Sequence, residues 1–299
     1  MAAIISACGL VKRYGDRVAV DHLDLSIEAG EAFGLLGPNG AGKTTTLSML
    51  VGLLAPDAGT IAIEGHGAPT DPDVRRTIGI APQSLALYDE LTAEENLEFF
   101  AGIYGLSGAV RRERVAWGLE LAELQDRRRH RVGSFSGGMK RRLNLAVAMV
   151  HDPKIVLLDE PTVGVDPQSR NHLIESIARL RSAGLTVVLT THYMEEASKL
   201  CDRVGIMDRG KILEIDRTNE LVRRHGGGLR IEARFEAGLP AVWNGPGELR
   251  DERLSVVTER PLDTLRELLD GAHRFAAIEM RPADLETVFL NLTGRTLRD

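Results

Sequence analysis

Cysteine is almost absent from this sequence. Only Cys8 and Cys201 occur among the 299 residues, far apart in the chain and without a CxxC pair. Neither a disulfide framework nor a cysteine-rich metal site is therefore expected, and a reducing cytoplasm is the natural compartment.

Long apolar runs and an excess of positive charge are absent as well. No apolar run approaches the ~18 residues of a membrane-spanning helix, and the first residues lack the basic start and apolar core of a secretion signal. Any work at a membrane is therefore expected at its cytoplasmic face, as a peripheral protein with a partner. The net charge of −6 argues against a broad nucleic-acid-binding surface, so no nucleic-acid partner is expected.

A glycine-rich phosphate-binding pattern is present at residues 37–44. These residues read Gly-Pro-Asn-Gly-Ala-Gly-Lys-Thr and match G-x-x-x-x-G-K-[ST] at every fixed position. An apolar run that suits a buried strand precedes them and a helical segment follows, a context that disfavours a glycine turn without a ligand. The glycines let backbone N–H groups reach phosphate oxygens, and the helix start adds a positive field. Lys43 supplies a cation for the β- and γ-phosphates, and Thr44 supplies a hydroxyl for magnesium.

Polar residues follow several apolar strands further along the chain. Gln83, Asp159, Glu160 and His192 each come at the carboxyl end of such a run. Ligands of open α/β sheets bind at those ends, so one crevice is expected to gather these residues with Lys43. A carboxylate there can hold magnesium through water, and its neighbour can orient or deprotonate an attacking water. Taken singly, each residue is also compatible with a polar strand end or a structural histidine.

A second anion-binding helix start is predicted at residues 136–138. Ser-Gly-Gly opens a long helix here, by the same physics as the first loop. Because one triphosphate needs one phosphate loop, the second site is expected to serve a nucleotide held elsewhere, with another copy of the chain as one such place. Tyr14 stands in a turn between two strands, where it is equally suited to stack on a base or to cover a strand end.

Residues 4 to about 220 resemble the ATP-binding subunit of an ABC transporter. The signature has Phe135 and Met139 where Leu and Gln are common, but its Ser-Gly-Gly is intact. The matching positions are Tyr14 for the adenine-stacking aromatic, residues 37–45 for Walker A, Gln83 for the Q-loop, Ser136 to Met139 for the signature, Asp159 for Walker B, Glu160 for the catalytic glutamate, Asp166 for the D-loop and His192 for the switch histidine.

The resemblance implies an α/β fold of the P-loop NTPase class, with a mixed core sheet, a small antiparallel β subdomain and a helical subdomain at about 84–150. It implies ATP and Mg²⁺ as cofactors. The catalytic residues it implies are Glu160, His192, Gln83 and Lys43, and the metal-binding ones are Thr44, Gln83 and Asp159. The nucleotide contacts it implies are Tyr14, Gly37, Pro38, Asn39, Gly40, Ala41, Gly42, Lys43, Thr44, Thr45, Ser136, Gly137, Gly138 and Asp166.

Two partners are also implied by the resemblance. In this family two subunits sandwich two ATP molecules, and the signature of one completes the Walker A site of the other, which predicts a homodimer. The second partner is a separate transmembrane permease. Its contact falls between the Q-loop and the signature, so residues 85–104 are the candidate docking surface, with Phe99 and Phe100 as candidate anchors.

The composition changes beyond residue 220. The cassette is expected to span 1–220, a hinge-like linker 221–228, and an accessory α/β domain 229–299. The tail at 284–294 resembles the exporter-type branch that includes the daunorubicin-resistance and nodulation-factor ATPases. That resemblance implies export of a drug, a lipid or an oligosaccharide.

Other ABC-type ATPases, acting on nucleic acid or ribosomes, are the alternative. The chromosome-organising kind needs a long heptad insertion before residue 136, and the repair kind needs zinc-spaced cysteines; neither is present. The ribosome-acting kind carries two cassettes, whereas this sequence has one Walker A. A phosphate-loop kinase does not account for the Ser-Gly-Gly helix start.

Overall fold

The protein divides into two compact units, one ending at Ile215 and the other beginning at Asp216. The computed structural model describes residues 3–64, 67–236, 238–240, 242–250, 253–271 and 273–294. Within these residues, nine strands begin in the first unit: β1 (Ala3–Tyr14), β2 (Arg17–Glu28), β3 (Ala32–Leu36), β4 (Ala58–Ile63), β5 (Ile78–Ala81), β6 (Ile155–Asp159), β7 (Thr186–Thr191), β8 (Arg203–Asp208) and β9 (Lys211–Arg217).

Six of these strands form the central sheet, in the order β5-β6-β7-β3-β8-β9. The pairs from β5 to β8 are parallel, and β3, β6 and β7 are buried along their whole length, as strands covered on both faces should be. β9 returns from β8 through a two-residue turn in which Arg209 and Gly210 have φ of 46° and 82°. The sheet is therefore mixed, as predicted.

A second, antiparallel sheet has the order β2-β1-β4. Apolar residues of its strands, among them Ile5, Leu23 and Ile27, are buried in one core cluster with Phe33 of β3. The predicted small antiparallel β subdomain thus shares its core with the central sheet.

The described residues of the first unit form seven α-helices: α1 (Lys43–Leu50), α2 (Pro72–Arg75), α3 (Ala93–Ile103), α4 (Gly108–Leu121), α5 (Gly137–Met149), α6 (Pro167–Ser182) and α7 (Met194–Leu200). α3, α4 and α5 have a core of their own, which includes Leu97, Leu119 and Leu143. α3 begins with the expected capping box, in which Thr92 and Glu95 satisfy each other's backbone N–H groups. Among the described residues, no helix is long and apolar enough to cross a membrane.

The second unit pairs a four-stranded antiparallel sheet with helices. Its strand order is β11-β12-β10-β13, and Ile231, Leu254 and Leu268 are buried in its core. Its elements are α8 (Thr218–His225), β10 (Leu229–Phe235), β11 (Glu248–Arg250), β12 (Arg253–Thr258), α9 (Pro261–Asp270), β13 (Phe275–Pro282) and α10 (Leu285–Thr293).

The predicted linker at 221–228 differs from the structure. Its first half lies in α8, where Leu221 is fully buried and α10 packs alongside. Within 221–228, only the three glycines lie outside α8. Gly227 and Gly228 have φ of 67° and 106°, a conformation that does not continue a helix. The division between the units also falls at 215–216, before the predicted boundary at 220.

Candidate functional site

The glycine loop between β3 and α1 has a conformation that other residues resist. Gly40 and Gly42 have φ of 80° and 109°. A Cβ at Gly42 would clash with the carbonyl oxygen of Ala19, and a Cβ at Gly37 with that of Met207. The loop therefore lies against β2 and β8, with its backbone placed to approach a ligand.

Lys43 begins α1, and its ammonium group points back into the loop. Nζ donates to the carbonyl oxygens of Gly37 at 2.8 Å and Pro38 at 3.1 Å. The residue is 4% exposed. A buried ammonium needs an anionic partner, and that partner is Glu160, whose Oε1 lies 3.2 Å from Nζ.

Glu160 is the point at which the predicted strand-end residues meet. Its Oε1 also lies 3.2 Å from Nδ1 of His192, and its Oε2 accepts from Nε2 of Gln83 at 3.0 Å. These residues follow β5, β6 and β7, which are neighbours in the parallel sheet. Glu160 has φ of 45°, a conformation unusual for a side chain with a Cβ, and its N–H donates to the carbonyl oxygen of Thr190 at 3.1 Å.

Asp159 lies one residue earlier and contacts the loop by a different route. Thr44 Oγ1 donates to Oδ1 of Asp159 at 3.1 Å, and Thr190 Oγ1 donates to the same oxygen at 2.5 Å. Asp159 is buried. A hydroxyl and a carboxylate, both hard oxygen donors, are thus held side by side.

Lys43, Thr44, Gln83, Glu160 and His192 line a cleft of about 700 Å³, whereas Asp159 is not among its lining residues. This volume is within the range of small-ligand sites. Tyr14 stands at the mouth, 53% exposed. Sequence reasoning missed Arg17, which pairs with Tyr14 across the β1–β2 hairpin and donates to Gly40 O at 3.4 Å. The residues that line the cleft are Tyr14, Arg17, Ala19, Asn39, Gly40, Gly42, Lys43, Thr44, Thr45, Gln83, Glu160, Val163 and His192.

The signature residues form a separate surface. Ser136 caps α5 by accepting from Met139 N at 3.2 Å. A Cβ at Gly138 would clash with the side chain of Ser169, whose N–H donates to Oδ1 of Asp166 at 3.0 Å and so lowers the pKa of that carboxyl. Residues 136–138 and Asp166 are not among the described residues that line the cleft. Most of the predicted nucleotide contacts therefore divide between two surfaces, while Gly37, Pro38 and Ala41 belong to the glycine loop but are not among the described residues that line the cleft.

Arg141 connects α5 of the signature surface to the cleft, and sequence reasoning did not identify it. Its Nη1 donates to Gln83 O at 2.7 Å, and its Nη2 donates to Val163 O at 3.2 Å. Burial lowers the pKa of Arg141, and the nearby carboxylates of Asp159 and Glu160 oppose that shift. The only signal in the sequence is the basic run that follows Ser-Gly-Gly.

Comparison with known proteins decides the family. The ABC transporter family pattern matches residues 20–163. The linearmycin resistance ATP-binding protein of Bacillus subtilis is 41% identical over 312 residues, covering 99% of this chain and 100% of that protein. A Nod factor export ATP-binding protein I of Cupriavidus metallidurans is 42% identical over 308 residues, covering all of both chains. The chain belongs to the ABC transporter family.

Solved structures of ATP-binding cassettes have the same fold as this chain. The structure of an ABC transporter ATP-binding subunit matches with a TM-score of 0.67 at 30% identity, covering 75% of this chain and 93% of that one. An ATP-binding cassette, solved as a dimer in a post-hydrolysis state with ADP and Pi, matches with a TM-score of 0.65 at 29% identity, covering 71% and 98%. The predicted fold class and ATPase activity are confirmed. The nucleic-acid and ribosome alternative receives no support.

Proposed function

We propose that this ABC ATPase is the energy-supplying subunit of an exporter, acting as a homodimer at the cytoplasmic face of the cell membrane with a separate permease. Its cargo class is a drug, a lipid or an oligosaccharide. The support is that relatives named for linearmycin resistance and Nod factor export match this chain along its whole length, second unit included.

The observation that carries the dimer is the division of the nucleotide contacts. Phosphate-loop residues line the cleft, whereas Ser136 and Asp166 lie on the separate signature surface. A second copy that places its signature surface over the cleft supplies further hydrogen-bond donors to the phosphates. The reason is that Ser-Gly-Gly opens the long helix α5, whose N-terminus can bind an anion. The dimer of the solved relative bound to ADP and Pi supports this arrangement.

Mg²⁺ fits the oxygen donors that Thr44 and Asp159 hold side by side. Thr44 Oγ1 and Asp159 Oδ1 are 3.1 Å apart, and Gln83, which lines the cleft, carries an amide oxygen as a third hard donor. The described residues hold no group of three or more His, Cys, Asp or Glu that would cage a metal. Mg²⁺ suits this sparse set, since it keeps waters and phosphate oxygens as ligands. When bound, it would neutralise charge on the transferring phosphoryl group.

The remaining roles follow from the contacts of Glu160. Its carboxylate orients and polarises the attacking water, and His192, which shares its Oε1, contacts the γ-phosphate. Lys43 carries the positive charge that faces the β- and γ-phosphates, and Tyr14 stacks on the adenine. Ser136 and Asp166 act on the nucleotide of the partner subunit.

The permease docks on an exposed aromatic patch, defined as Tyr88, Phe99 and Phe100. The Tyr88 and Phe99 ring centroids are 5.0 Å apart, and those of Phe99 and Phe100 are 5.3 Å apart. Tyr88 and Phe99 remain 46% and 43% exposed. Clustered aromatic rings of this kind anchor protein interfaces, and the patch lies within the predicted docking segment 85–104.

Purification from membranes tests the whole proposal. The full chain, tagged and extracted with mild detergent, should bring with it a multi-helix membrane protein and release phosphate from Mg·ATP. Association with ribosomes or DNA in place of a membrane protein would contradict it. A chain that neither pairs nor releases phosphate in the presence of its membrane partner would contradict it as well.

A further inference from the structure

A buried carboxylate that the mechanism above does not use lies on α7. Glu196 is 2% exposed. One carboxylate oxygen, Oε1, accepts a short hydrogen bond from Thr162 Oγ1, and the other, Oε2, accepts from Thr191 Oγ1 at 2.9 Å. Thr162 stands two residues after Glu160, and Thr191 stands immediately before His192. A single carboxylate therefore joins the two backbone segments that carry these site residues.

A third segment reaches the same carboxylate through Arg170. Nε of Arg170 lies 3.6 Å from Glu196 Oε1, and its guanidinium lies 4.2 Å from the centre of the Tyr193 ring. The Tyr193 ring in turn lies 4.2 Å from that of His192. Arg170 is in the first turn of α6, where its N–H donates to Asp166 O at 2.9 Å. Asp166 of the signature surface is thus connected, through Arg170 and Tyr193, to His192 at the end of β7.

The cost of leaving a buried carboxylate unpaired restrains the three segments that contact Glu196. A carboxylate removed from water is stable only while its oxygens are hydrogen-bonded and its charge is compensated. If any one of the three segments moved alone, it would leave Glu196 with an unpaired oxygen or without its cation. The Glu196 cluster, defined as Thr162, Arg170, Thr191 and Glu196, therefore favours joint movement of these segments over independent movement.

We propose that Glu196 is a positioning residue that keeps His192 and Glu160 in register with Asp166, so that a second copy docking at Asp166 sets the geometry of the hydrolytic site. This inference rests on the dimer of the proposed function. Glu196 is not among the described residues that line the cleft; it acts through Thr162, Thr191 and Arg170.

The test compares Glu196→Gln with Glu195→Gln in the full chain. Glu195 is the exposed neighbour on the same helix, so its variant makes the same chemical change outside the cluster. ATP-binding sites are first titrated with a fluorescent ATP analogue, and turnover is then measured per site. Loss of charge-assisted hydrogen bonds should lower kcat of Glu196→Gln by about 10-fold, leave KM for Mg·ATP within about 2-fold, and leave Glu195→Gln at the wild-type values.

Thr162→Val and Thr191→Val provide the second readout, since each removes one hydroxyl and keeps the side-chain shape. Within a shared cluster, combining Thr162→Val with Glu196→Gln should add little to the loss of kcat from Glu196→Gln alone. A purely structural role would instead reduce the number of binding sites and leave kcat per site unchanged.

Two results would overturn the inference: an unchanged kcat per site in Glu196→Gln, or effects of the two changes that multiply. In either case a wild-type chain that pairs and hydrolyses ATP leaves the proposed function standing. If Glu196→Gln does not fold, unchanged kcat in both valine variants overturns the inference equally. A wild-type chain that does neither removes both proposals.

Discussion

Glu160 is the residue on whose two carboxylate oxygens Lys43, Gln83 and His192 all converge. Replacing it with glutamine keeps the shape and removes the base. We expect Glu160→Gln to bind ATP as the wild type does and to hydrolyse it about 10²- to 10⁴-fold more slowly, the range for general acid–base groups. Phosphate release and fluorescent-nucleotide binding measure the two effects, with Glu195→Gln as the matched control. Unchanged turnover would remove Glu160 from the mechanism.

Residues such as Lys43 and Glu160 could be predicted from the sequence because each is contiguous with the element that positions it. A glycine loop, an apolar strand and the polar residue after it can all be read along one segment. Arg17, Arg141 and Glu196 could not be predicted in this way. Their partners lie across a hairpin, on another subdomain or on three separate segments, and only the tertiary register brings them together.

At the scale of elements, a half-buried histidine just after the helical subdomain has a consequence for stability. His151 follows α5, stacks on Tyr104 with ring centroids 3.5 Å apart, and places Nε2 3.1 Å from Ile78 O. Its Nδ1 is buried without a partner. Burial, aided by the charge of Arg114 and opposed by Asp152 and the Ile78 hydrogen bond, lowers the pKa of His151 to about 4.

The sign of the pH effect follows from that lowered pKa. Below the ordinary pKa of 6.5, His151 binds a proton in the unfolded chain. In the folded chain it stays neutral until the pH approaches 4. The free energy of unfolding should therefore fall between pH 7 and pH 5, by about 1–2 kcal/mol from this group after allowance for its partial exposure. His151→Phe, which keeps a ring against Tyr104, should lose that part of the slope. The free energy of unfolding is measured in urea at each pH, and parallel profiles for the wild type and His151→Phe would contradict the assignment.

Long or wholly apolar elements were the predictable ones, and short amphipathic ones were not. β7 and the first four residues of β6 are unbroken apolar or β-branched runs, and α3 carries its own capping box. α8 buries only Leu221 of its eight described residues and lies beside three glycines, so its sequence is typical of a linker. β11 is three residues long and gains its structure from pairing with β12.

At the scale of the whole molecule, a change in the aromatic patch should affect permease docking without affecting ATP hydrolysis. A charge at Phe99 should break permease binding, because losing an aromatic anchor weakens an interface by roughly 2 kcal/mol or more, about 30-fold in affinity. We expect Phe99→Glu to lose co-purification and export while the purified subunit keeps its ATPase activity. Val110→Glu is the matched control, since Val110 is 54% exposed on α4 and outside the docking segment. Normal export by Phe99→Glu would refute the placement.

The central claim is that each active site is shared between two copies, and mixed subunits test it most directly. One subunit carries Ser136→Arg and the other Lys43→Ala, with different affinity tags so that the heterodimer can be isolated. Each variant alone should be inactive, because every site then lacks either its signature donor or its phosphate-loop cation. The heterodimer pairs one intact loop with one intact signature, so phosphate release should return. A verified heterodimer that releases no phosphate would contradict the account.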